Sequence, residues 1–120
     1  MGWGVLVSYD YTPREPGNVD YYYLACYCNT GDEAFGPIIW VPYPRTDGKH
    51  LDVPRIKNEF YHAWMAACKE MHGGERDPRS MDNRTLRATL WLMSVHAGWR
   101  ERKEFYEIFE DMAEQLGWPQ

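Results

Sequence analysis

Glu59 and His62 stand three apart, a spacing that puts both on one helical face, as in carboxylate-bridged di-iron bundles. Such a centre needs a second Glu-x-x-His and further glutamates on facing helices, and the chain has no second copy. A solvated polar face is the expected state of this pair, so neither metal nor cofactor is expected. His50 with Asp47 or Asp52 could form an acid–base pair in the loop RTDGKHLD, although short polar loops produce such pairs by chance. His72, in KEMHGG, falls at a helix end, where a partly protonated imidazole complements the helix dipole. His96 falls in an apolar stretch and reads as a core histidine. No serine occupies a Gly-x-Ser-x-Gly elbow, and no glycine loop has the form of a phosphate cradle. An enzyme or ligand-binding domain would have to use His50, Glu59 or His62 in a pocket between sheet and helices. That is the secondary expectation.

Carboxylates near the C-terminus offer the better lead. At one hundred degrees per residue, Glu104, Glu107, Glu110, Asp111 and Glu114 gather opposite an apolar stripe. Only Arg102 and Lys103 lie close by in sequence, so like-charge pairs at i,i+3 and i,i+4 cost roughly a few tenths of a kcal/mol each. An ordinary solvated face would look similar; a face that steers a basic partner would also tolerate the repulsion.

VDYYYLACYCN contains the other unusual run. Read as a strand, it puts Tyr22, Leu24, Cys26 and Cys28 on one face and Tyr21, Tyr23, Ala25 and Tyr27 on the other. The first set suits a core. The second is a row of phenols that either packs on cross-strand neighbours or forms a recognition surface, and both alternatives stay open. Cys26 and Cys28, two apart on one strand face, are poorly aimed for a disulfide and read as buried, inert thiols.

These residues need elements to hold them. Trp3, Val5, Val7 and Tyr9 alternate with Gly4, Leu6, Ser8 and Asp10 as in a half-buried strand. TPREPGN interrupts it, the tyrosine run makes a second strand, NTGDE a hairpin turn with Gly31 at positive φ, and AFGPIIWVPY a third strand. Pro37 and Pro42 push that third strand to the sheet edge. A first helix starts at an Asp52 cap with Pro54 in its first turn; its apolar stripe is Val53, Ile56, Phe60, Ala63, Trp64, Ala67 and Met71, and it ends at Gly73 and Gly74. ERDPRSM is a charged connector. A second helix runs from an Asp82 cap to about Ala97, apolar on several sides and hence deeply buried, with Gly98 after it. A third spans residues 101–116, with Phe105, Ile108, Phe109, Met112 and Leu116 inward. Strands first and helices after predict an α+β fold: an N-terminal three-stranded antiparallel sheet packed against three C-terminal α-helices, residues 1–120 forming one domain.

Composition limits the function classes. The chain has 120 residues, net charge −5, six Trp and nine Tyr. Residues 51–100 carry eight basic and six acidic side chains, whereas residues 101–120 carry two basic and six acidic. The acidity disfavours direct nucleic-acid binding, despite Arg76, Arg79, Arg84 and Arg87, which could balance the acidic helix or form an opposite pole. No apolar run approaches the roughly 20 residues of a membrane span. The start MGWGVLVSYD lacks the features of a signal peptide, and three cysteines without one read as reduced thiols in the cytoplasm. The expectation is a small acidic intracellular protein-binding module, an inhibitor that blocks a basic partner surface sterically and electrostatically. Tyr21, Tyr23, Tyr27 and the five carboxylates would be its contact residues, and a homodimer through exposed aromatics stays open. In kind it is similar to small acidic inhibitors such as phage anti-CRISPR and toxin-immunity proteins, although no motif matches either group.

Overall fold

The computed structural model describes residues 3–10, 21–30, 33–44 and 52–116. The hairpin turn expected at Gly31 and the pairing of His50 with Asp47 or Asp52 lie outside these residues. The fold is α+β, an antiparallel sheet with three α-helices. Strand β2 (Tyr21–Thr30) pairs with β3 (Glu33–Pro44), and the backbone of β1 (Trp3–Asp10) runs along the other edge of β2.

Side-chain parity in β2 follows the alternation in its sequence. Leu24, Cys26 and Cys28 are fully buried, while Ala25 and Tyr27 on the opposite face are half-buried. Between Cys26↔Ile39 and Cys28↔Phe35 the register shifts, so Gly36, Pro37 and Ile38 stand opposite Tyr27 alone. A bulge of this kind needs unusual backbone, and Gly36 supplies it at φ 74°. The extra pair of residues preserves parity, so Phe35, Ile39, Val41 and Tyr43 still turn to the core.

β3 is an edge strand, and its exposed edge is poorly suited to accept another strand. Pro42 opposes Tyr23 and Pro44 opposes Tyr21, positions where the missing N–H must point away from β2. Trp40 belongs to the same alternating set, and its outward carbonyl accepts a hydrogen bond from Arg100. Two absent donors and one occupied acceptor discourage edge-to-edge pairing.

Helix α1 (Val53–His72) begins where the Asp52 carboxylate accepts from the Arg55 N–H at 3.2 Å, with Pro54 tolerated in the first turn. It stops at Gly73, whose φ of 80° is the left-handed cap that satisfies the Lys69 carbonyl. The connector contains a 3₁₀ turn (Pro78–Ser80), capped by Asp77 and seated on buried Pro78. Asp82 caps α2 (Asn83–His96) through the Thr85 N–H at 2.7 Å. Helix α3 (Arg102–Leu116) follows directly after Gly98 closes α2.

One core cluster joins sheet and helices: Leu24, Ile39 and Val41 from the strands meet Ile56, Phe60 and Trp64 of α1, Leu86, Leu90 and Met93 of α2 and Phe105 of α3. At ~1.5–3 kcal/mol for each fully buried large side chain, this cluster is the main stabilising term. Helix α2 is buried through most of its length, including Thr89 and Ser94, which return their hydroxyls to the Thr85 and Trp91 carbonyls.

Candidate functional site

Helix α3 packs by Phe105 and Ala113, with Phe109 partly buried, and turns its acidic residues outward. Glu104, Glu107, Glu110, Asp111 and Glu114 are all exposed. Glu104 meets Arg100 at 3.5 Å; among the described residues Glu107, Glu110 and Glu114 have no ion-pair partner. Arg79 is committed to Asp77 at 3.1 Å in the 3₁₀ turn, too local to balance α3.

Exposed rings flank this face on both sides. Tyr106, 48% exposed, stands beside Arg102 on the flank that faces α1. On the other flank Arg100 acts as a joint: its guanidinium lies 3.5 Å over the Trp91 ring, reaches Glu104, and donates to the carbonyl of Trp40. Trp40 itself is 41% exposed, and Ile38 on the same sheet face is 49% exposed. The acidic helix is thus tied at its first turn to an apolar sheet edge. Of the three expected tyrosines, Tyr27 is half-buried, and the side chains of Tyr21 and Tyr23 lie outside the described residues. Trp40, Tyr61 and Tyr106 are exposed rings not expected from sequence. Tyr106 had a signal, since it follows inward Phe105 by one hundred degrees of helix.

The histidines need correction. His96 is not a core residue. Its Nε2 lies 2.6 Å from Glu70 Oε2 at the surface, and Arg102 Nη1 holds the other oxygen of the same carboxylate at 3.0 Å. Burial alone would raise the Glu70 carboxyl, but hydrogen bonds from Arg102 and His96 outweigh it and hold it below the ordinary value of 4.5. His72 does more than complement a dipole. Its Nε2 lies 3.1 Å from Thr89 Oγ1, whose own proton goes to the Thr85 carbonyl at 2.8 Å. The ring therefore donates to Thr89. Burial first, then the Arg76 charge, lowers its pKa and favours the neutral ring, against the expected partial protonation.

Glu59 and His62 do not simply face solvent. With Asn58, Ala63 and Ala66 they line one side of an open cleft of about 400 Å³, which His96 and Ala97 line on the other. Arg55 Nε donates to Glu59 Oε1 at 3.2 Å. Among the described residues no three His, Cys, Asp or Glu side chains are placed to hold a metal ion. Cys26, Cys28 and Cys68 are free and buried; burial pushes the Cys28 thiol up to about 12 and raises Cys26 and Cys68 as well, which removes thiolate chemistry at neutral pH. No described helix is long and apolar enough to cross a membrane. No protein-family model matches the sequence, and no curated protein or solved structure is significantly similar to it.

Proposed function

We propose that the protein is a small binding module that acts by occupying a basic surface of a partner protein in the cytoplasm. The observation that carries this reading is the outer face of α3, where Glu107, Glu110 and Glu114 are exposed without ion-pair partners among the described residues and Tyr106 stands beside them. Carboxylates of this kind steer encounter with a basic surface, and a partly exposed ring provides the desolvated anchor that charge alone lacks. Trp40 and Ile38, joined to the helix through Arg100, extend the anchor onto a sheet whose third strand is β1. Blockade, steric and electrostatic together, is the mechanism, and it requires no cofactor. Because the β3 edge is closed by Pro42, Pro44 and Arg100, the partner engages side chains rather than adding a strand.

Affinity capture with mass spectrometry identifies the partner, and titration calorimetry with the purified pair tests the mode. Glu107→Lys with Glu114→Lys should weaken binding at least about tenfold and flatten its salt dependence. Tyr106→Ala should weaken it without altering that dependence. Binding unchanged by charge reversal and by added salt would reject the proposal.

A further inference from the structure

We infer that the cleft between α1 and the C-terminal end of α2 is a binding site for a small organic cation, a protonated aliphatic amine. This site is independent of the α3 face. Three features of the cleft point to that chemistry. Three of its seven lining residues are alanines, Ala63, Ala66 and Ala97, whose methyl groups offer apolar surface to a short run of methylenes. Its rim supplies acceptors. In the tautomer that donates Nε2–H to the Glu70 carboxylate, His96 Nδ1 is an acceptor, and it has no partner among the described residues. Arg102, on the far oxygen of Glu70, fixes that carboxylate and with it the orientation of the imidazole.

The charge on the rim is Glu59. Its only described cation is Arg55, whose side chain is 73% exposed, so an ammonium can compete for the second carboxylate oxygen. Asn58 adds an amide oxygen to the same wall. A metal ion is the less suitable occupant, because the described residues form no three-ligand set and His96 Nε2 is already engaged with Glu70. An ammonium needs only hydrogen-bond acceptors and tolerates this looser geometry. The site recognises and holds its ligand; no proton or group transfer is part of the proposal.

The test uses the full chain, isotope-labelled, at about pH 8, where an aliphatic ammonium keeps its proton. n-Butylammonium is titrated while backbone amide shifts are followed, with acetate and Zn²⁺ as separate arms. Saturable shifts confined to residues 58–66 and 96–97, with a Kd near the millimolar range expected of so small a ligand, would support the site. Glu59→Gln should then weaken binding about tenfold, while Glu107→Lys with Glu114→Lys leaves it unchanged. The inference is overturned if no saturable shift develops at ten times that concentration, or if Glu59→Gln binds as well as the parent. It is equally overturned if acetate or Zn²⁺ takes the cleft in preference, or if the α3 reversal weakens binding as much, since the amine would then be a diffuse counterion only.

Discussion

At Gly36 the backbone takes φ 74°, and a Cβ built there falls inside contact distance of Leu86 Cδ2. Gly36→Ala therefore combines left-handed strain with a steric conflict against a buried side chain on α2. The expected cost is about 2–4 kcal/mol, read as a lower denaturant midpoint with unchanged slope. Leu86→Ala should cost less in the Gly36→Ala background than in the parent, because there it also removes the conflict while the strain remains. Glu70 makes a different kind of prediction. Its carboxyl pKa is depressed in the folded state, so its contribution is present above the unfolded value and lost as pH falls through the folded one. Glu70→Gln should cost less than about 1 kcal/mol at neutral pH, since the pair is substantially exposed, and nothing once the pH is well below 4.5. Comparing urea midpoints of parent and variant from neutral pH downward checks this.

Among the elements, helix ends were the most legible feature of the sequence. Asp52 and Asp82 are caps with a carboxylate aimed at the third N–H, and Gly73 is a stop with a positive φ; each is a local device that sequence alone specifies. The core face of β2 was legible for a similar reason, because a period of two admits one division of Leu24, Cys26 and Cys28 from Ala25 and Tyr27. The bulge opposite Tyr27 was not, since it depends on how Gly36 passes over Leu86 on a distant helix. The His96–Glu70–Arg102 cluster was invisible on the same grounds: its members come from α2, α1 and α3 and meet only after packing. His72 shows both sides. Its position at a helix end could be read, but its bond to Thr89, which joins α1 to α2, and the burial and Arg76 charge that oppose protonation arise only after packing. Because its folded pKa is lowered, the unfolded chain takes up the proton first, and stability falls as pH drops below the ordinary value of 6.5. His72→Gln, which keeps a donor for Thr89, should flatten that part of the stability–pH curve.

For the molecule as a whole, the acidity of α3 sets stability against recognition. Glu107, Glu110, Asp111 and Glu114 lie at i,i+3 and i,i+4 spacings, so replacing the central carboxylate exchanges repulsive pairs for attractive ones. Glu110→Lys should raise folding stability by a few tenths of a kcal/mol at low salt, with the gain shrinking as ionic strength rises. The same substitution weakens the field that draws a basic surface, so the association rate with the partner should fall while the dissociation rate changes little. These responses have opposite signs, and that distinguishes two accounts of the helix. A merely solvated face would gain stability and lose nothing measurable in binding. A face kept acidic for recognition gains stability and loses rate, as expected where a surface departs from its most stable composition for the sake of an interaction. Stopped-flow association and urea unfolding on one preparation of Glu110→Lys read both quantities. An unchanged association rate beside a raised unfolding midpoint would assign α3 to solvent and leave Trp40, Ile38 and Tyr106 as the remaining contact surface.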